Sequence, residues 1–97
     1  MYCTGTYELI TSTQISTKPG AVVSIEVLTD GSNDATGILY DVDAVGDIAA
    51  TNKLQEIVVK SGMIFGGRTW EIPRRFGVGL YLALSGTGAS AIVEYLK

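Results

Sequence analysis

The residues that could do chemistry in this chain fall into three stretches. Asp41-Val42-Asp43, followed by Asp47, offers carboxylate oxygens of the kind that bind calcium. No glycine stands where an EF-hand loop must turn and no closing Glu follows, so these acids read as exposed turn carboxylates. Gly86-Thr87-Gly88-Ala89-Ser90-Ala91 matches G-x-G-x-x-A. A dinucleotide fingerprint needs a following helix and a second strand within roughly thirty residues. The chain ends too soon after Ala91 to provide them. Arg68-Thr69-Trp70 and Arg74-Arg75-Phe76 interleave basic and aromatic side chains, as single-stranded nucleic-acid grooves do. Against that stand the net charge of −3 and the small number of aromatics that read as exposed, and no nucleic-acid partner is expected. Trp70 has two readings: a core residue, or an exposed aromatic that binds a sugar or a protein.

Two absences narrow the chemistry further. The chain has no histidine, which removes Ser-His-Asp and Cys-His nucleophilic sites and most zinc sites. Cys3 is the single cysteine, so neither an intrachain disulfide nor a cysteine-based metal site can form. An enzyme is not expected, and neither is a cofactor or a metal.

The charges are unevenly placed. Residues 1–59 hold two lysines against eight acids, a net −6. Residues 60–97 hold Lys60, Arg68, Arg74, Arg75 and Lys97 against Glu71 and Glu94, a net +3. A chain with one acidic and one basic portion can attract copies of itself or a charged scaffold.

The elements that must position these residues are strands. Over residues 77–96, Leu80, Leu82 and Leu84 alternate with Tyr81, Ala83 and Ser85. Ala89, Ala91, Val93 and Tyr95 then alternate with Ser90, Ile92, Glu94 and Leu96. This period of two predicts two strands, with Gly86-Thr87-Gly88 as the turn of a β-hairpin between them. Both faces are largely apolar, which puts the hairpin at the centre of the fold.

The rest of the chain covers it. Residues 1–6 read as an N-terminal arm, free or swapped, and residues 7–97 as one β-sandwich domain. Residues 7–12, or on to 17, suit an edge strand. Lys18-Pro19-Gly20 reads as a turn with Gly20 at positive φ. Residues 21–29 form a strand with Val23, Ile25 and Val27 on one face and Val22, Ser24, Glu26 and Leu28 on the other. Residues 36–41 form the next, with Ile38 and Tyr40 on one face. Residues 43–52 make a long connection across the top, with room for one helical turn. Residues 54–60 follow as a strand with Ile57 and Val59 inward. A short strand at 62–65, a tight turn at Gly66-Gly67, and a strand at 69–72 closed by Pro73 complete the set.

About eight short strands, and no helix long enough for a parallel crossover, predict an all-β antiparallel sandwich of jelly-roll or Greek-key type. A seven-stranded immunoglobulin-like sandwich is the second choice. No apolar run is long enough to cross a membrane as a helix and no leader segment is visible, so a cytoplasmic site of synthesis or assembly is expected.

Lys18-Pro19-Gly20, Val27-Leu28-Thr29-Asp30-Gly31, Leu39-Tyr40-Asp41, Gly79-Leu80-Tyr81 and Leu84-Ser85-Gly86-Thr87-Gly88-Ala89-Ser90 resemble small virion proteins of tailed bacteriophages. The resemblance spans most of the chain after Ser16 and is to decoration, or cement, proteins of β-sandwich type. It implies a homo-oligomer, commonly a trimer, on the capsid surface where major capsid proteins meet, assembled in the host cytoplasm. It carries over no residue's role, because the matching positions are turns and strand ends. The other reading is a carbohydrate- or host-surface-binding module of a phage fibre, which an exposed Trp70 would favour. The residues expected at an interface are Arg74, Arg75, Phe76, Trp70, Tyr81, Ile92 and Leu96. One or both of the first two are expected to pair with carboxylates across a subunit or capsid interface, with Phe76 packed beneath, and the acids available for this are Asp30, Asp34, Asp41, Asp43 and Asp47.

Overall fold

Residues 3–96 are described by a computed structural model. Period-two patterning and glycine-rich breaks give eight strands: β1 (Cys3–Gly5), β2 (Thr13–Ser16), β3 (Gly20–Leu28), β4 (Ala35–Tyr40), β5 (Lys53–Val59), β6 (Phe65–Phe76), β7 (Leu80–Ser85) and β8 (Ser90–Leu96). They form two antiparallel sheets of order β1-β8-β3-β6 and β2-β7-β4-β5. The pairs β1·β8, β2·β7, β3·β6 and β4·β5 are those of one long hairpin, four strands per arm, folded over on itself. Only the connection between β4 and β5 stays within a sheet; each of the others crosses between sheets. This is jelly-roll topology.

The core lies between the sheets. Ile25 and Val27 from β3, Leu39 from β4, Leu80 and Leu82 from β7 and Val93 from β8 are almost wholly buried, with Phe76 of β6 sealing one end. Their alternation with outward residues is that of two sheets packed face to face.

Several expectations are corrected. β7 and β8 do not form a hairpin: they lie in opposite sheets, and Gly86-Thr87-Gly88 carries the chain across the sandwich. Strands apolar on both faces must be central, and each is an inner strand of its own sheet. Centrality does not require that they pair. Gly66-Gly67 is not a turn but part of β6, opposite Val27 and Glu26. A Cβ on Gly67 would overlap the Ile25 carbonyl oxygen, so this glycine serves close backbone approach. Gly20 is not at positive φ; it lies in β3, where a Cβ would overlap the Leu96 carbonyl oxygen. Val22 faces inward with Ile25 and Val27, because both of β3's ladders shift register between Val22 and Ser24. Of the stretch read as an arm, free or swapped, residues 1 and 2 lie outside the described residues and Cys3–Gly5 is β1, an edge strand paired with the end of β8. The first long strand is confined to Thr13–Ser16, and Leu9 makes only an isolated bridge to Ala91.

Candidate functional site

The end of the sandwich formed by the β2–β3, β4–β5 and β6–β7 connections gathers most of the charged candidates. Its shape is set by β6, an edge strand. Between the pairs Ser24↔Thr69 and Val22↔Arg74, residues 70–73 of β6 stand opposite Val23 alone. Pro73 has no N–H for the ladder, and such a bulge is where an edge strand accommodates one. Within the bulge Trp70 turns inward, 9% exposed, and Ile72 turns out, 84% exposed.

Trp70 is thereby a core residue. The Arg68 guanidinium covers it, 5.1 Å from the ring centroid, and donates to Gln55 Oε1 at 3.1 Å. Arg68 so spans the gap between the edge strands β5 and β6. Phe76 is 1% exposed and belongs to the core rather than to a support for the arginines. Arg74 and Arg75 are exposed. Neither guanidinium has a hydrogen bond or an ion pair among the described residues. Arg75, Phe76 and Leu96 meet at an open groove of about 510 Å³, whose other walls include Pro19, Ala21, Ile72 and Pro73.

The remaining candidates lie elsewhere. Ile92 sits on the outer face of the β1-β8-β3-β6 sheet, in a separate depression with Glu26, Arg68 and Glu94. Tyr81 is half-buried on the outer face of the other sheet, opposite Gln14 and Tyr40. The seven residues therefore do not form one surface.

The carboxylates expected to meet the arginines divide into two groups. Asp30 accepts the Ser32 and Asn33 backbone N–H groups, each at 2.9 Å, and the Asn33 side-chain amide. These bonds, the Ser32 one foremost, hold its pKa below the ordinary value. Asp34 accepts the Ser61 N–H at 2.7 Å and lies 3.7 Å from Lys60 Nζ. Asp41 accepts three consecutive N–H groups, from Gly77 at 2.9 Å, Val78 at 2.8 Å and Gly79 at 3.2 Å. Burial pushes the Asp41 carboxyl up, but these three donors outweigh it and hold the pKa below the usual carboxylate value. Asp43 and Asp47 are exposed, and among the described residues no side-chain bond engages their carboxylates. They flank Val45, 62% exposed, on the 3₁₀ turn Val45–Asp47.

The chemistry-bearing motifs take structural roles here. Asp41 commits both oxygens to backbone N–H groups, and among the described residues no three His, Cys, Asp or Glu side chains are placed to hold a metal ion. The glycines of the G-x-G-x-x-A run lead into a strand, not a helix. Sequence reasoning missed Ile72, Pro19 and Val45. Ile72 had one signal, an apolar residue directly before a proline on an edge strand. Asp41 had none, since its donors lie about 36 positions along the chain and a backbone N–H has no side-chain signature.

No protein family, curated protein or solved structure matches this chain.

Proposed function

We infer that the chain is a structural virion component, a decoration protein that sits on the capsid of a tailed phage and bridges capsid subunits. The observation that carries this reading is the β6 bulge. A nearly fully exposed isoleucine and Arg75 line a largely apolar groove, and neither Arg75 nor its strand neighbour Arg74 has an ion pair or hydrogen bond among the described residues. Exposed apolar residues around a groove, rimmed by charge, are what a docking surface presents. Further large apolar residues, Tyr7, Ile10, Met63, Ile64 and Phe65, are exposed elsewhere. A protein with several such patches can contact more than one neighbour, as a bridge between subunits must. Its partners in this reading are copies of itself, in a trimer, and the major capsid protein. Trp70, buried beneath Arg68, gives the carbohydrate-binding alternative no aromatic platform.

The test uses capsids built from the major capsid protein of the phage that encodes the chain. The protein is added to capsids lacking it, and they are sedimented. Saturable binding at a fixed number of copies per capsid, with a raised temperature of capsid disruption, is expected. Protein that stays in the supernatant at about 10 µM, a weak-affinity threshold, overturns the reading.

A further inference from the structure

Asp43 and Asp47 on one side, and Arg74 and Arg75 on the other, lie on connections or strand ends at the same end of the sandwich. All four are exposed, and among the described residues none is neutralised by a side chain of its own chain. Opposite charges left unspent within one molecule are complementary between two. The apolar parts match as well. Val45 is exposed and stands between the two aspartates in the sequence, and the groove that Arg75 lines is walled by Pro19, Ile72, Pro73 and Leu96, with Arg74 the next residue of the strand outside that lining. At about 510 Å³ the groove is larger than one valine side chain and has room for part of the turn that carries it.

We propose that this groove receives the Val45–Asp47 turn of a second copy of the chain, with Val45 against Ile72 and Leu96, with the Asp43 and Asp47 carboxylates drawn to Arg75 in the groove, and with Arg74 adding positive charge at the strand edge beside it. The proposal deepens the assembly reading by naming the self-contact, and it is tested on the free protein, without capsids.

Both halves are held in place before contact. The start of the acidic connection is anchored by Asp41 and by the Gln14 amide, which donates to the Val42 carbonyl at 2.8 Å. Val42 itself is 2% exposed. The arginines are on a strand laddered to β3. Pre-ordered halves lose little freedom on docking. Arginine suits the role because its planar fork takes a carboxylate through two nitrogens. Lys18, beside Pro19, adds a positive charge near the groove, and Glu71 on the bulge offsets part of it.

The experiment is sedimentation equilibrium of the full chain, with three variants. Wild type is expected to associate, more weakly at about 500 mM salt than at about 50 mM. Arg74→Glu/Arg75→Glu and Asp43→Lys/Asp47→Lys are each expected to weaken association by about tenfold or more. Mixing the two reversed chains is expected to restore a complex, since each retains the half that the other lacks. Val45→Ser, at an exposed site, tests the apolar contact without altering any charge and is expected to weaken association. Circular dichroism and a melting curve establish that each variant folds. A wild-type chain that is monomeric at about 100 µM overturns the proposal. So do folded reversals that associate like wild type, or fail to form a complex when mixed. Association by this contact with no capsid binding refutes the decoration reading and leaves this inference standing.

Discussion

Replacing Asp41 with alanine removes the acceptor for three consecutive backbone N–H groups. Gly77 and Val78 are exposed, and water replaces the carboxylate there. Gly79 is buried, and its N–H would be left without a partner. An unsatisfied buried donor costs about 1–3 kcal/mol, and exchanging two charge-assisted bonds for bonds to water costs about 1 kcal/mol more. The expected loss is therefore about 2–4 kcal/mol. For a domain of this size that is a fall in Tm of roughly 10–25 °C. Asp41→Asn keeps one acceptor oxygen, in the place of the one that serves Val78 and Gly79, and should cost about 1–2 kcal/mol. Urea unfolding gives these losses as midpoint shifts at constant m.

The same carboxylate carries a pH dependence. Its folded-state pKa lies below the ordinary value of 3.8, so the unfolded chain binds the proton more tightly. The stabilisation is complete well above 3.8 and is lost as pH falls through 3.8 towards the folded value. The stability difference between wild type and Asp41→Asn should be flat above about pH 5 and shrink below 3.8. Other carboxylates titrate in both proteins and cancel in the difference. An Asp41→Ala variant within about 0.5 kcal/mol of wild type would refute the reasoning, because surface substitutions alone reach that size.

Two further predictions concern β6. Gly67→Ala should destabilise by about 1–3 kcal/mol, since its Cβ meets the fixed Ile25 carbonyl. Gly46→Ala, in open space, should be neutral or slightly stabilising, and urea unfolding of both checks the contrast. Trp70 is the only tryptophan, so its emission should be blue-shifted in the folded chain. Arg68→Ala should raise its quenching by acrylamide while costing about 0.5–1 kcal/mol, the range for an exposed cation–π contact.

The strands were legible because their signal is local. Period-two alternation in β3, β4, β5, β7 and β8 is written in adjacent residues. Which strand pairs with which is not. The run from β7 into β8 carries every local mark of a hairpin: apolar alternation, a short loop, and glycines at φ 111° and 73°. A crossover between sheets needs the same backbone freedom at the same place. What separates the two is whether β7 pairs with β2 and β4 and β8 with β1 and β3, contacts made far along the chain. Gly66-Gly67 misled in the opposite direction. Two adjacent glycines suggest a turn, yet here they permit β6 to lie closely on β3, a requirement set by a neighbour outside the local sequence.

The charge asymmetry shows the same limit at the candidate site. Counted along the chain, acids dominate the first portion and bases the second, and any of the acids is a candidate partner for Arg74 and Arg75. In the fold, Asp30, Asp34 and Asp41 are bound to backbone N–H groups of the loops they hold. An acid used in this way is already compensated, and drawing it to an arginine would cost the loop its support. Of the turn aspartates, that leaves Asp43 and Asp47, whose carboxylates face solvent on the connection that turns the long hairpin. A carboxylate's availability to a partner thus depends on what its own backbone has already taken from it, and net charge along the sequence cannot register that. Self-contact depends on these four charges, unpaired among the described residues, and on exposed Ile72 and Val45, not on the −6 and +3 of the two portions.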